Sequence, residues 1–227
     1  MEGKIMYEFV SGPLVWISFG IFFVGLLVRV IAYVKGLDWQ KDRVAYSAAG
    51  IPGAVKSIVN WLIPFKSQAW RDNPVFAIGT FVFHLCLLAV PIFLLGHNIL
   101  WDESWGISWW TLSDTTADWL TLLFFAAVVF LIIRRIVNPD VRLLTTGYDY
   151  LIIAIAAAPF VTGYMAYHQW MDYKTILIIH ILAGELMLIA IPFTKLSHFV
   201  LFFCSRAQLG MDYGIKRGGR YGRGICW

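Results

Sequence analysis

Five long runs of hydrophobic residues, separated by shorter polar segments, dominate the pattern along this chain. Each run is long enough to cross ~30 Å of hydrocarbon as a helix, which takes roughly 20 residues. Because the apolar residues are continuous instead of alternating with polar ones, helices are favoured over a β-barrel. The pattern predicts an all-α integral membrane bundle of five transmembrane helices. We place them near residues 12–34, 75–100, 117–136, 149–167 and 175–203.

The composition agrees with this pattern. Of the 227 residues 59% are hydrophobic and only 14% are charged, whereas a soluble domain has about 25% charged residues. Residues 1–204 are predicted to form one membrane domain, and residues 205–227 a basic, glycine-rich tail. The first run is too long for a cleaved signal and lacks a small-residue cleavage pattern, so we expect it to persist.

The basic residues predict the direction in which the helices cross the membrane. Fifteen Lys and Arg residues lie near one end of the helices: in the segments 35–71 and 134–142 and after residue 194. The opposite side has only Lys4 and Lys174. The positive-inside rule therefore places the N-terminus outside and the C-terminus in the cytoplasm. The net charge of +4 reflects this bias and indicates no nucleic-acid partner.

Four of the five histidines lie within two of the apolar runs, where an imidazole is costly unless it has a role. Antiparallel packing of the second and fifth helices pairs His84 with His198 toward the cytoplasm and His97 with His180 toward the outside. On an ideal helix the 18-residue spacing of His180 and His198 is five whole turns, so both share one face. The 13-residue spacing of His84 and His97 turns them ~140° apart. Pro91 lies between these two, and a kink or unwinding there would re-aim one ring.

Two imidazoles facing each other from separate helices suit six-coordinate haem iron, with one nitrogen in each axial position. A zinc site needs about four ligands at one point, and no further residues of the right type occur at both depths. Two alternatives stay open: histidines that relay protons in a haem-free, proton-coupled transporter, and histidines that hydrogen-bond between helices. His168, in a short outer loop, is expected to be a solvated surface residue.

Several charged residues lie where a haem or a proton carrier would need them. Arg29, Arg142 and Lys195 are predicted at the cytoplasmic end of the bundle, where each either neutralises a haem propionate or extends to the membrane interface. Glu185, five residues after His180, lies well inside a predicted helix and should stay protonated unless it is paired. It either accepts a proton released by a quinol or hydrogen-bonds between helices.

The segments outside the helices have features of their own. Residues 51–65 mix apolar and polar residues, which indicates a helix lying flat on the membrane or, alternatively, a surface that docks a partner. The outer loop 101–110 is rich in tryptophan and acidic residues, which suits interfacial anchoring or a basic partner. We expect the tail to lack structure until it meets a cytoplasmic subunit or anionic lipid. The cysteines form no CxxC or CxxCH motif, so any haem is held by coordination alone; they are Cys86, Cys204 and Cys226.

These motifs resemble the membrane cytochrome b (gamma) subunits of respiratory nitrate reductases and their wider family. The similarity is strongest in HILAGELMLIAIPFTKLSH (180–198) and in RRIVNPDVRLLTTGYD (134–149). It continues in VFH (82–84) and LGH (95–97), which match the family's two ligand positions on its second helix, and in Arg29, which matches an arginine ending the first helix. The resemblance implies a five-helix dihaem cytochrome b of a bacterial inner membrane. Its inner haem would be held by His84 and His198, and its outer haem by His97 and His180.

The sequence also departs from the family pattern. The spacing between His84 and His97 is three residues longer than in the nitrate reductase subunit. Glu185 occupies an apolar position of the family. No lysine occurs in the loop after the second helix, where the nitrate reductase subunit has one linked to quinol binding. A quinol site is therefore not transferred to this chain from the resemblance.

Within the family, YEFVSGPLVW (7–16) and VKGLDWQKDRVAY (34–46) most resemble the cytochrome b subunits of the high-molecular-weight cytochrome c complexes of sulfate-reducing bacteria. This resemblance implies electron transfer between periplasmic cytochrome c or menaquinone and the cytoplasm. It also implies four partners: a periplasmic multihaem cytochrome c, a ferredoxin-like iron–sulfur protein, a second quinone-type membrane subunit and a cytoplasmic iron–sulfur subunit. The alternative within the family is a menaquinol-oxidising anchor of a cytoplasmic reductase.

Overall fold

The computed structural model describes residues 2–37 and 43–213, and within these ranges the chain is helical, without a β-strand. A π-helical segment (Val10–Leu14) and a 3-10 turn (Lys195–Ser197) interrupt the α-helices. In chain order the α-helices are α1 (Glu2–Phe9), α2 (Val15–Lys35), α3 (Arg43–Leu62), α4 (Gln68–Asp72), α5 (Pro74–Phe93), α6 (Leu95–Trp105), α7 (Asp114–Val137), α8 (Pro139–Leu143), α9 (Gly147–Tyr167), α10 (Tyr173–Phe193) and α11 (His198–Tyr213).

Five helices are long and apolar enough to cross a membrane, which confirms the predicted fold class of an all-α chain with five such helices. The first runs through the π-helical segment, so it is longer than the predicted span 12–34. The five are Ile5–Lys35, Pro74–Phe93, Asp114–Val137, Gly147–Tyr167 and Tyr173–Phe193. Their number and length are those of a multi-pass membrane protein.

Two of the predicted helices are wrong in extent, because each is broken near a proline. The helix predicted over 75–100 ends at Phe93, and α6 begins after Leu94, whose backbone is extended (φ −70°, ψ 133°). The helix predicted over 175–203 ends at Phe193. There Thr194 is extended (φ −121°, ψ −174°), and its hydroxyl donates to Ala190 O (2.7 Å) while accepting from Leu196 N (3.2 Å). A proline removes a backbone donor and weakens the helix around it, which the length of an apolar run does not reveal.

Side-chain caps fix the starts of α7 and α10. Ser113 Oγ accepts a hydrogen bond from Thr116 N (3.3 Å) at the start of α7. Before α10, Asp172 Oδ2 accepts from Thr175 N (3.0 Å) and from the Thr175 hydroxyl (2.7 Å). These hydrogen bonds stabilise the charged carboxylate and hold the pKa of Asp172 below its ordinary value. The caps explain why these helices begin a few residues before the apolar runs that predicted them.

The chain divides into two compact units. The unit formed by residues 75–184 has an aromatic core shared by α5, α7 and α9. In it the Phe124 ring lies 3.9 Å from that of Phe160 and 5.2 Å from that of Phe83, measured between centroids. Gly79 packs directly against the Phe130 ring, so a side chain at position 79 would overlap it. Small residues at such contacts let membrane helices approach closely.

The other unit combines residues before 75 with those after 184. Helix α11 packs along α3, with Gly210 directly against the backbone of Gly53. A helix over most of 51–65 is thereby confirmed, although whether it lies flat on a membrane stays a prediction. Helix α11 also corrects the predicted tail, because its residues 205–213 are helical. Residues 214–227 lie outside the described ranges.

Candidate metal centre

The break after α5 creates a set of carbonyl groups that have lost their helical partners. The last turn of a helix leaves its carbonyls unpaired. Here Pro91 O accepts from His97 Nδ1 (2.8 Å), Ile92 O from Trp109 Nε1 (2.8 Å) and Phe93 O from Leu112 N (2.8 Å). The broken helix end therefore orients the His97 ring and ties the following loop to it.

That loop is held in place by a buried amide. Asn98, next to His97 on α6, donates from Nδ2 to Trp109 O (2.6 Å) and accepts from Trp109 N (3.3 Å). Its side chain is buried, at 6% relative exposure. Two hydrogen bonds between one buried side chain and one backbone residue fix both, because breaking them would leave buried polar groups unpaired. The segment that follows α6 is thus held against the start of that helix, and residues 101–105 of the predicted outer loop are helical.

His180, on α10, is positioned by the neighbouring helix α9. Its Nδ1 lies 2.9 Å from Pro159 O and 3.3 Å from Thr162 Oγ1. Gly163, one turn after Pro159, leaves room for the ring: a Cβ there would lie 2.9 Å from His180 Cε1 and 3.1 Å from Nδ1. A proline carbonyl and a glycine on one helix together hold the imidazole in its place.

These bonds decide where the protons of the two rings lie. A carbonyl oxygen only accepts, so Nδ1 of each ring must be the donor. In neutral imidazole the other nitrogen, Nε2, then carries the lone pair. Metal-binding histidines are commonly oriented in this manner, with one nitrogen bonded to a backbone carbonyl and the other on the metal. In both rings Nε2 is therefore the nitrogen that is available to bind a metal.

The structure brings His97 and His180 together. Their ring centroids are 6.0 Å apart and their planes differ by only 5°. A metal–imidazole bond is about 2.0–2.1 Å long. Since the ring centroid lies roughly 1 Å behind the nitrogen, two axial imidazoles on one ion have centroids about 6 Å apart. The centroid spacing and the parallel planes of the observed pair are compatible with two imidazoles on one metal ion.

The number of candidate ligand side chains restricts which kind of metal group could bind at the His97–His180 pair. Within the described parts of the chain, no group of three or more His, Cys, Asp or Glu side chains could hold a metal ion. A four-ligand zinc site therefore has no candidate there. A pair of imidazoles alone suits a metal whose other positions are filled by a macrocycle, as in haem. The residues present fit a haem with two histidine ligands.

His84 and His198 lie in different units of the chain, so their predicted pairing stays a prediction. His84 Nδ1 lies 2.8 Å from Thr80 O, one turn earlier on α5. His198 begins α11 and is exposed, with Nδ1 2.9 Å from Lys195 O. Both rings thus share the Nδ1-to-carbonyl bond of the other pair. The prediction that His180 and His198 share one helix face is wrong, because the helix ends between them.

The three candidate propionate partners have different surroundings. Arg29, on α2, donates from Nε to Pro192 O (2.6 Å), a carbonyl near the broken end of α10. Gly25, one turn earlier, packs on the Pro192 ring: a Cβ there would lie 2.5 Å from its Cβ. Arg142, on α8, and Lys195 are exposed. Their roles toward a propionate stay predictions.

Glu185 is buried, at 5% relative exposure, and neither carboxylate oxygen has a hydrogen-bond partner among the described residues. This agrees with the expectation that it lies well inside a helix.

His168 is an exposed residue, as predicted, and its Nε2 lies 2.8 Å from Asp118 Oδ1 on α7.

The residues that orient the two rings were not predicted from the sequence. Pro159, Thr162 and Gly163 position His180, and Asn98 and Trp109 support His97. The signal that could have indicated them is a proline inside each apolar run that carries or faces a histidine. At Pro91 a proline predicted only a kink, although its carbonyl is also an acceptor for the ring.

Fold and geometry together define the class: a multi-pass, all-α membrane protein with two parallel imidazoles on separate helices. No family model matches the chain. The chain is 53% identical, over 217 residues, to a protein of Nitratidesulfovibrio vulgaris strain Hildenborough, and the match covers 94% of this chain and 96% of that protein. The chain therefore belongs to the same family as that protein, whose name states no activity, ligand or partner.

Proposed function

We propose that the chain is the dihaem cytochrome b subunit of a membrane-bound respiratory redox complex. The observation that carries the proposal is the His97–His180 pair. Its rings are parallel, 6.0 Å apart between centroids, and bonded through Nδ1 to backbone carbonyls. These features support a haem with two histidine ligands, whose rings are commonly oriented by Nδ1 bonds to backbone carbonyls. The haem supplies the one-electron redox chemistry, and the protein supplies ligation, orientation and an apolar surrounding.

In this proposal His97 and His180 hold the outer haem, and His84 and His198 hold the inner one. Arg29, Arg142 and Lys195 lie near the inner haem and balance its propionates. The Nδ1 bonds of all four histidines support these roles, because each fixes the tautomer whose Nε2 can ligate. The chain itself transfers electrons, and any overall reaction is completed by its partner subunits.

The excess of basic residues after the first, third and fifth helices supports an N-terminus on the periplasmic side and a C-terminus in the cytoplasm. We therefore assign the chain to a bacterial inner membrane. Its electrons would pass between a periplasmic multihaem cytochrome c, or menaquinone, and a cytoplasmic iron–sulfur subunit; a ferredoxin-like iron–sulfur protein and a second quinone-type membrane subunit would be further partners. These partners follow from the resemblance described above, and not from contacts of this chain.

The test is an absorption spectrum of the full-length chain purified from membranes, oxidised and then reduced. We expect b-type bands and two haems per chain. His180→Ala and His97→Ala should each remove the same haem and leave the other, whereas His84→Ala and His198→Ala should remove the second. His168→Ala is the matched control, because this exposed histidine bonds to Asp118; it should retain both haems. A chain that purifies without haem would refute the proposal and favour the proton-coupled transporter.

A further inference from the structure

Two buried polar side chains have no role in the proposed electron path. Glu185 is 5% exposed, and Oε1 and Oε2 have no hydrogen-bond partner among the described residues. Ser18 is fully buried, at 0% exposure, and its Oγ also lacks a partner there. Buried polar atoms without partners are rare, and where they occur they commonly bind a water or an ion or take part in proton transfer.

Helix packing places these two residues at the same level. Gly25 of α2 packs directly on Pro192 of α10. Ser18 precedes Gly25 by seven residues, and Glu185 precedes Pro192 by seven. Seven residues are about two turns, or ~10.5 Å, so each residue lies on the face of its helix that makes the contact. As the first and fifth of five successive spans, the two helices run in the same direction. Their polar side chains are therefore at one depth in the α2–α10 interface.

The carboxyl group of Glu185 has no cationic partner in the part of the chain that the structure describes. Among these residues, none of the basic side chains lies within ion-pair distance of either Glu185 oxygen. Arg29 lies eleven residues beyond Ser18, about 16 Å along α2, and bonds to Pro192 O. The other titratable side chains described on α1, α2 and α11 do not hydrogen-bond to Glu185 either. They are Tyr7, Glu8, Tyr33, Lys35, His198, Cys204, Arg206 and Asp212.

A buried carboxylate without a cation binds a proton more readily than one in water, because burial penalises the charged form. The neutral acid then has one donor and several acceptor positions, and a serine hydroxyl also donates and accepts. Water molecules bonded to both groups would satisfy the three unpaired oxygens, as buried waters do elsewhere in proteins. An ionisable group of this kind within a membrane span is a hallmark of proton relays.

We propose that Glu185 and Ser18 form a proton-binding site inside the membrane, where one proton is bound for each electron that reaches the His97–His180 centre. The electron would come from the donor of the proposed electron path, and a proton from the aqueous phase would convert the Glu185 carboxylate to the acid, so that one negative and one positive charge are added together. Glu185 follows His180 by five residues, about 7.5 Å along α10. The two side chains also lie about 140° apart around the helix axis, so the carboxyl group is further from the imidazole ring than this rise. Charges in a low dielectric still interact over such separations, so an added electron raises the affinity of the carboxylate for a proton. The electron part rests on the proposed function, whereas the proton site does not.

The experiment is reduced-minus-oxidised infrared difference spectroscopy on the full-length chain. In the wild type we expect a carbonyl band of a protonated carboxyl group that grows on reduction and shifts in D₂O. The band should be missing from Glu185→Gln. It should persist at a shifted frequency in Ser18→Ala, which removes a hydrogen-bonding group but not the acid. Glu103→Gln is the matched control, because this acidic residue on α6 is exposed; it should leave the band unchanged.

Potentiometry gives the second readout. At pH values where Glu185 is ionised in the oxidised state, the equilibrium constant for reduction of the centre should fall up to tenfold for each unit by which the pH rises. This corresponds to a fall in the reduction potential of about 59 mV for one electron. Glu185→Gln should retain its haem and lose this dependence. A band that survives in Glu185→Gln, or an equal pH slope in both proteins, overturns the proposal.

If the chain carries no haem, the proposed function fails but the proton site is still tested. In that case the static infrared spectrum at neutral pH decides: a protonated carboxyl band lost in Glu185→Gln supports the site. The absence of such a band in the wild type overturns it.

Discussion

The substitution Gly163→Ala tests how the His180 ring is held, since it adds one carbon atom beside the ring. The new Cβ would lie 2.9 Å from His180 Cε1, whereas two carbon atoms at optimal contact are about 3.5–4.0 Å apart. The ring must therefore move by roughly 0.6 Å. Gly163 and Pro159 are one turn apart on α9, so the ring moves away from that helix.

This movement acts directly on the bond that orients the ring. The distance from His180 Nδ1 to Pro159 O is 2.9 Å, and an outward shift of roughly 0.6 Å brings it to the upper limit for a hydrogen bond. Loss of such an orienting partner lowers metal affinity about 10–100-fold, or about 1.4–2.7 kcal/mol. We expect Gly163→Ala to lose a large part of the haem that we propose at the His97–His180 pair during purification, and to bind carbon monoxide there once reduced.

The assay is haem content per chain together with the carbon monoxide difference spectrum. Gly184→Ala is the matched control on α10, because a Cβ at position 184 meets no atom of the described residues within 4 Å; it should behave like the wild type. If Gly163→Ala retains both haems and excludes carbon monoxide as well as Gly184→Ala does, the inferred role of Gly163 is refuted.

Two further substitutions test the surroundings of the site. Trp109→Phe removes the indole N–H that bonds to Ile92 O, and we expect a loss of about 0.5–1.5 kcal/mol in stability against denaturant. Trp110→Phe is its control, and equal stability of the two variants would contradict the role of the bond. Asp172→Ala removes a carboxylate whose pKa is lowered below 3.8 by hydrogen bonds from Thr175. A carboxyl group whose pKa is lower in the folded than in the unfolded state stabilises the fold at pH values above its unfolded-state pKa. This stabilisation is lost as the pH falls through the folded-state pKa. The thermal midpoint of the wild type should therefore exceed that of Asp172→Ala near pH 7 and converge with it below about pH 3.8; a constant difference would refute this.

The number of membrane helices was predicted well from the sequence, because continuous apolar runs of about 20 residues are rare outside membrane spans. The ends of the helices were not. Pro91 predicted a kink or unwinding in this run, but the residue at which the helix stops, Phe93, was not predicted. The break depends on tertiary contacts such as those of Trp109 and Leu112 with the freed carbonyls.

The pairing of His97 with His180 was predicted from topology alone, by assuming antiparallel helices. The structure does bring the two rings together, but for a reason that the residue spacing does not contain. The rings meet because α6 begins in a new direction after Leu94, and because α9 offers a carbonyl and a glycine to His180. The two histidines could be predicted as candidate ligands from their identity, whereas the positions of their rings depend on the backbone geometry of α6 and α9.

Three prolines within the apolar helices each lend their own carbonyl oxygen to a side chain of interest: Pro91 to His97, Pro159 to His180 and Pro192 to Arg29. An acceptor that belongs to the main chain cannot be deleted by exchanging a side chain. In a saturation scan of this protein, the imidazoles should therefore stand out as isolated intolerant positions. Replacement of a proline that supplies one of these carbonyl oxygens would have little effect wherever the backbone keeps its position.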